Sequence, residues 1–270
     1  MTTPYSYTTK LASKRVLILG GTSGVGFGVA QAALQFGASV IISSSNPSKI
    51  TRSLDRLRTG HPTLAAGQTI TGTPCDLSNP STLESNLIAL LNFATDSNTA
   101  KINHVVFTAG DAINNIPLSE VTPESITRQS TIRFHAAVIL AKLLPKYMPL
   151  EAESSITFTG GTNTDKPMPG WSVMAAVGSA VEGLTRGLAV DLKPVRVNTV
   201  SLGAVVTELF DGFLGGDEKV KEMVLERMRK ATLVGEMGRV EDVVEAYLYL
   251  MRDRFVTGTV VKTNGGRILA

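Results

Sequence analysis

The feature that most constrains this chain is the turn Leu19-Gly20-Gly21-Thr22-Ser23-Gly24-Val25-Gly26, set between an apolar run and an amphipathic segment. Arg15 to Leu19 before it reads as a buried strand, and Gly24 to Phe36 after it as a helix closed by Gly37. Glycines at such a junction let the backbone turn tightly and approach a pyrophosphate at the positive end of the helix. A glycine pattern alone is equally compatible with an ordinary turn. The strand before and the helix after are the context that makes it a dinucleotide-binding turn. Gly20, Thr22, Ser23, Gly24, Val25 and Gly26 are therefore the expected phosphate-side residues.

The same alternation continues along the chain. Further strands are predicted at Ser39 to Ser43, His104 to Thr108, Ser155 to Thr159, Arg196 to Ser201 and Thr259 to Thr263. Helical patterns lie at Thr82 to Ala94, Glu124 to Lys146, Met174 to Leu192 and Val240 to Met251. Strands that alternate with helices on this scale form a parallel sheet covered on both faces. The expected fold is α/β, a doubly wound parallel sheet in a single Rossmann-type domain over residues 1–270, with a short substrate lid. Ligands of such sheets bind beyond the carboxyl ends of the strands, at the switch point.

Composition narrows the classes of function. A single cysteine, Cys75, excludes an internal disulfide and fits a reducing compartment. The net charge of +3 is spread without any basic run, which argues against nucleic acid as a partner. The opening residues MTTPYSYTTKLASK lack an apolar signal core, and no stretch reads as membrane-spanning, so a cytoplasmic protein with no membrane partner is expected. His61, His104 and His135 are scattered and make no metal-ligand cluster.

The end of the second strand bears on which dinucleotide is bound. A carboxylate there would accept from a ribose 2′-hydroxyl and repel a 2′-phosphate. The chain instead reads Ser43-Ser44-Ser45-Asn46-Pro47-Ser48-Lys49, with Arg52 following. Ser44, Ser45, Asn46 and Lys49 offer donors and charge to a phosphate, which favours NADP(H); the alternative is a polar turn capped by Asn46-Pro47.

The glycine spacing resembles the short-chain dehydrogenase/reductase family, with Leu19 in place of the usual threonine, and the resemblance runs the whole chain. Asp76-Leu77 resembles the adenine-contacting pair, and Thr108-Ala109-Gly110 the end of the N-N-A-G motif, with Phe107 and Thr108 replacing the asparagines. Arg196 to Gly203 resembles R-V-N-x-V-x-P-G, with Leu202 replacing proline. Thr207 then falls where the family holds the nicotinamide carboxamide, and Gly258 and Asn264-Gly265-Gly266 resemble the closing strand. The resemblance implies cofactor contacts at Asp76, Leu77, Ala109, Gly110 and Thr207, and a homo-oligomer, specifically a tetramer.

Against that background the usual Asn-Ser-Tyr-Lys tetrad is missing. Met174 aligns with the tyrosine, Gly178 with the lysine, Gly160-Gly161 with the serine and Arg133 with the asparagine. Methionine cannot donate a proton, and hydride addition to a ketone creates an alkoxide that needs one. Hydride addition to an iminium carbon removes a positive charge and needs no acid at the acceptor. Asp165, in the loop leaving the Ser155 to Thr159 strand, is suited to stabilising a cation or moving a proton; the bland alternative is an exposed loop carboxylate or a cap near Asn163-Thr164. Arg133 is placed to contact cofactor, pair with Asp165, or hold a substrate carbonyl, unless it is a helix-surface cation. Trp171 offers a flat face to an aromatic substrate or packs under the loop, and Phe210, Phe213 and Leu214 follow in the lid segment.

Arg133, Asp165, Lys166, Trp171, Met174 and Gly178 together resemble the reductases of fungal bicyclic diazaoctane indole-alkaloid pathways, of the malbrancheamide and paraherquamide type. That resemblance implies NADPH-dependent reduction of a cationic cyclic dipeptide-derived precursor, followed by an intramolecular [4+2] cycloaddition. It implies Asp165 and Arg133 as acting residues, and Lys166, Trp171, Met174 and Phe210 around a small aromatic substrate. The competing readings are a non-catalytic NADP(H) sensor and an ordinary reductase with an unaligned acid such as Asp165. The cofactor reading makes a direct prediction: NADPH binds more tightly than NADH, and Ser45→Asp reverses or erases the preference. Calorimetry showing equal affinity in the unaltered protein would overturn the assignment.

Overall fold

The structure is a computed structural model and describes residues 7–112, 115–207 and 218–270. Buried apolar runs form seven parallel strands: β1 (Arg15–Leu19), β2 (Ser39–Ser44), β3 (Ile70–Pro74), β4 (His104–Phe107), β5 (Ser155–Gly161), β6 (Arg196–Leu202) and β7 (Val260–Thr263). Their order is β3-β2-β1-β4-β5-β6-β7. The chain therefore reverses direction across the sheet between β1 and β4, and the crevice opens there at the strands' carboxyl ends.

Two apolar cores sandwich this sheet, because successive side chains of a strand point to opposite faces. Val16, Ile18, Val40 and Ile42 pack on one face against α1 (Gly24–Gln35) and the late helix α8 (Val240–Arg252). Leu17, Leu19, Val105 and Phe107 pack on the other against α3 (Leu83–Ala94) and α5 (Ala136–Leu143). The helix α6 (Ser172–Asp191) covers β5 and β6 on that second face, burying Val177, Val181 and Thr185. Thr185 and Thr199 share a hydrogen bond of 2.6 Å between helix and strand. By length and composition α6 could cross a membrane, contrary to the expectation of no such stretch. Its packing on the sheet gives that apolar character a different use, since one face fills the core and the other remains outward.

Three elements were not separately predicted. The Asn46-Pro47 turn is the start of α2 (Pro47–Gly60): the Asn46 side chain accepts from the Lys49 backbone N–H at 3.1 Å, capping the helix. Only Ile50, Ser53 and Leu57 bury from α2, a stripe too thin to stand out among polar residues. β3 buries only Ile70, and eight of the thirteen residues of α7 (Glu218–Lys230) are charged. Conversely, the single helix expected over Glu124 to Lys146 is divided. It consists of α4 (Pro123–Ser130), a π-helical turn over Thr131–His135, α5, and a short 3-10 turn at Leu144–Lys146. A π turn holds one extra residue and shifts the side chains that follow, and such turns concentrate at functional sites. Arg133 lies within it.

The histidines and cysteine take structural positions. His104 is buried, its Nδ1 lies 2.9 Å from Ser155 Oγ, and burial pushes its pKa down to about 3. Burial likewise pushes the Cys75 thiol up to about 11, which suppresses the reactive thiolate. Among the described residues no cluster of His, Cys, Asp and Glu could hold a metal ion.

Arg196 explains why its motif starts with arginine. It is 2% exposed and donates to the carbonyls of Ala152 at 2.6 Å, Leu250 at 2.5 Å and Met251 at 3.0 Å. One guanidinium thus satisfies the last turn of α8 and the loop entering β5, carbonyls that no helix bond reaches. Arg196→Met should leave these acceptors buried without donors. The expected loss is about 3 kcal/mol, in the range for breaking a buried charged network. A thermal midpoint lowered by less than a degree would show that the clamp is dispensable.

Candidate functional site

The site is built where the β1–α1 turn meets the end of β4. Thr108 donates both its backbone N–H and its hydroxyl to the Leu19 carbonyl, each at 2.9 Å. Gly20 has φ +86°, and a Cβ there would lie 2.7 Å from the Ala109 nitrogen. Only glycine meets both demands. At Gly26 a Cβ would fall on the Gly20 carbonyl and the Thr108 hydroxyl, so this glycine lets α1 sit directly on the turn. Ser23 is the N-cap of α1 without a side-chain capping bond, and the first turn of that helix contains no acidic residue. Such an N-terminus favours an anion through its aligned dipoles and N–H groups. Thr22 and Val25 flank it; the Thr22 carbonyl accepts from Ser53 Oγ at 2.9 Å, fastening the turn to α2.

At the β2–β3 side of the crevice, Ser44 ends β2, and Ser45, Asn46 and Lys49 are exposed at the start of α2. No carboxylate stands in this corner of the turn, and α2 presents its N-terminus, with Lys49 and Arg52 close behind. Asp76 is exposed beyond β3, and its carboxylate accepts from Ser78 N at 2.8 Å and Ser78 Oγ at 2.7 Å. Those two bonds lower its pKa below the usual carboxylate value. Leu77 beside it is buried at 6% exposure. Thr207 follows β6 at the opposite side of the crevice.

The residues expected near the substrate are distributed differently from the simplest expectation. Arg133 does not pair with Asp165. Its Nη1 meets the Asp111 carboxylate, and its Nη2 donates to the Asp111 backbone carbonyl at 2.6 Å. Asp165 pairs instead with Lys262 of β7, Oδ1 to Nζ at 2.7 Å. Glu182 of α6 is close enough that Asp165 raises its carboxyl pKa, after burial has raised it more. Lys166 is turned toward the end of the chain, donating to the carbonyls of Arg267 at 3.3 Å and Ala270. Trp171 is only 7% exposed and forms the N-cap of α6. Met174 is half-buried one turn further along. Phe210, Phe213 and Leu214 lie outside the described residues.

Asp111, Lys262 and Glu182 were not found by motif reading. Asp111 directly follows Ala109-Gly110, so adjacency to that motif was its one available signal; Lys262 and Glu182 are distant in sequence and carry none.

The place of the missing lysine is filled. A Cβ on Gly178 would collide with the hydroxyl of Thr164, from the 3-10 turn at Thr162–Thr164 that follows β5. Without a side chain at 178, that turn closes directly onto α6.

A family model described as an SDR-like Rossmann domain matches residues 7–270. A curated relative, the short-chain dehydrogenase/reductase malC of Malbranchea aurantiaca, is 47% identical over 259 residues, covering 96% of each chain. The chain belongs to the short-chain dehydrogenase/reductase family. It is thus an oxidoreductase, with the fold of an enzyme that binds a nicotinamide cofactor and acts on small molecules. A second relative in the family, fsr5 of Gibberella fujikuroi, is 42% identical over 270 residues, covering 98% of each chain. The solved structure of the MalC reductase/Diels-Alderase from Malbranchea aurantiaca superposes with a TM-score of 0.92 at 46% identity, covering 98% of this chain and all of that one.

Within this family the lysine position is therefore remodelled by packing. In an open helix Gly→Ala stabilises by about 1 kcal/mol, whereas overpacking a tight contact costs about 1–3 kcal/mol. Gly178→Ala should accordingly fail to stabilise the protein, and Gly178→Lys should destabilise it. Thr164→Ala removes the colliding hydroxyl, so Thr164→Ala/Gly178→Ala should melt above Thr164→Ala alone. Thermal unfolding in which Gly178→Ala by itself raises the midpoint would contradict this packing.

Proposed function

We propose that the protein is an NADPH-dependent reductase of a cationic, iminium-type cyclic dipeptide precursor bearing an aromatic ring, and that the same pocket guides an intramolecular [4+2] cycloaddition. The observation that carries this reading is the Thr164–Gly178 contact: the tetrad's cation is replaced by fitted packing. A sensor that had merely lost catalysis would have no need to refill that space.

When bound, NADPH supplies a hydride, which an iminium carbon accepts to become a neutral amine while NADP+ is released. No proton reaches the acceptor in that step, which matches methionine at 174 and glycine at 178. Asp165, paired with Lys262, is the group that stabilises the cation and accepts a proton. Lys262 is its resident counter-ion, which the substrate cation joins or displaces. Arg133, above the end of β4, serves the nicotinamide half of the cofactor. That half lies on the β4-β5-β6 side of the switch point, opposite the adenine side at β2 and β3. Ser44, Ser45, Asn46 and Lys49 serve the 2′-phosphate, and their lack of a carboxylate supports NADP(H) over NAD(H).

The cycloaddition forms two σ bonds from two π bonds within one molecule and needs no acid or base. Holding diene and dienophile in a near-attack arrangement lowers the barrier through entropy already lost on binding. Similarity along the whole chain to a reductase/Diels-Alderase supports this second step. The outward face of α6, with exposed Ala176, Gly183, Gly187 and Val190, supports self-association, for which we infer the tetramer of the family. The buried, unpaired Cys75 is consistent with a cytoplasmic setting.

Asp165→Asn tests the mechanism. Its ion pair is partly exposed, with side-chain exposures of 28% for Asp165 and 36% for Lys262. Losing it should cost at most about 1 kcal/mol of stability. Single-turnover NADPH oxidation by a cyclic iminium should slow about ten- to a hundredfold, the worth of one charge-assisted contact. NADPH affinity should stay unchanged. Ketones should remain poor substrates in both proteins. An unaltered rate would remove Asp165 from the reaction, and ketone reduction outpacing iminium reduction would overturn the substrate class.

A further inference from the structure

Arg133 is held in an unusual way for a residue on a helix. It sits inside the π turn at Thr131–His135, and its guanidinium reaches back to the loop after β4. There Asp111 receives it twice, through its carboxylate at Nη1 and its main-chain carbonyl at Nη2. The guanidinium also lies along Gly110: a Cβ on that glycine would be 3.0 Å from Nη2, 3.2 Å from Cζ and 3.4 Å from Nε. Asp111 thus fixes the fork through two hydrogen bonds, and Gly110 leaves beside it space that a side chain would take. The Arg133 side chain is 20% exposed and that of Asp111 35%, so the pair sits at the rim of the crevice.

We propose that Asp111 is the positioning residue for Arg133, holding the guanidinium so that its remaining donors face the ribose on the nicotinamide side of the cofactor. The inference rests on the reading of Arg133 given above and adds the group that makes it work. A guanidinium has five N–H donors in a rigid plane, and two of them go to Asp111. The Nε–H and the second hydrogen of each terminal nitrogen are left for a ligand. An arginine side chain free to rotate would lose much of that contact to conformational entropy, whereas a fork oriented beforehand loses little. A ribose hydroxyl is a neutral acceptor, so orientation matters more than the charge that Asp111 offsets. The same geometry explains the glycine at 110, since a side chain there would press on the guanidinium.

Two opposing effects separate the proposal from its alternative. If Asp111 orients Arg133, its removal weakens cofactor binding. If Asp111 only competes with the cofactor for Arg133, its removal tightens binding. The test is NADPH calorimetry on the full chain with Asp111→Ala, Asp111→Asn, Arg133→Ala and the double variant Asp111→Ala/Arg133→Ala. Asp111→Ala should weaken NADPH about tenfold, the worth of one charge-assisted hydrogen bond. Asp111→Asn should recover most of the affinity, because its amide oxygen still accepts from Nη1. The double variant should bind no more weakly than Arg133→Ala alone, a coupling that general destabilisation does not produce. In turnover, the KM for NADPH should rise while kcat at saturating cofactor stays within about twofold.

Tighter NADPH binding in both Asp111 variants, or strictly additive losses in the cycle, would overturn the proposal. Weakened binding by Arg133→Ala with no effect of Asp111→Ala would remove Asp111 alone. Unchanged binding by Arg133→Ala would remove the cofactor role of Arg133, and the inference with it. Should Asp111→Ala fold poorly, Asp111→Ser, which also leaves Nη1 without its carboxylate, provides the same comparison.

Discussion

Two hydrogen bonds from Thr108 to the Leu19 carbonyl join β1 to β4 at the point where the sheet reverses direction. The crevice depends on this junction. It holds the ends of the two strands in register, brings Ala109 against Gly20, and lets α1 start directly above. A larger residue at Gly20 or Gly26 would drive the helix off the strand and close the approach to its N-terminus. The phosphate turn, the loop carrying Gly110 and Asp111, and Arg133 above it are all placed relative to that one contact.

From there the site divides by charge. The turn after β2 is polar and lacks carboxylates, with hydroxyls, an amide and Lys49 around the start of α2. Beyond β4 and β5 each proposed acting group is neutralised by a partner from another element: Arg133 by Asp111 and Asp165 by Lys262. Pairing resolves the difficulty of holding charges at a partly dry rim, since an unpartnered charge there would lose solvation without return. The family's tyrosine–lysine pair is replaced by methionine, glycine and a threonine hydroxyl packed into the space.

Much of the fold was legible from pattern. β1, α1 and the turn between them were read with bounds close to those observed, because strand burial, glycine spacing and helix closure all point the same way there. Reading failed where the hydrophobic signal is thin. α2 buries three residues, β3 buries one, and the stripe of α7 is lost among charges. It also failed where one apolar period conceals a change of helix type. The segment around Arg133 keeps its apolar residues, and the extra residue of the π turn leaves no mark in composition. Motif alignment identified Arg133, Asp165 and Gly178 as positions of interest, yet the partners Asp111, Lys262 and Thr164 were not identified.

The sequence by itself determined the parallel αβ architecture, the dinucleotide turn, the lack of a carboxylate after β2 and the lack of a tyrosine–lysine pair. These are properties of local spacing and residue type, and they hold whatever the rest of the chain does. Only the tertiary structure decided which charges meet. Arg133 and Asp111 are 22 residues apart, and Asp165 and Lys262 are 97 apart. Their pairing depends on the π turn, on the order of β5, β6 and β7, and on the directions in which side chains leave those elements. Long charged side chains can reach several partners at similar distances, so the choice among them falls to packing geometry.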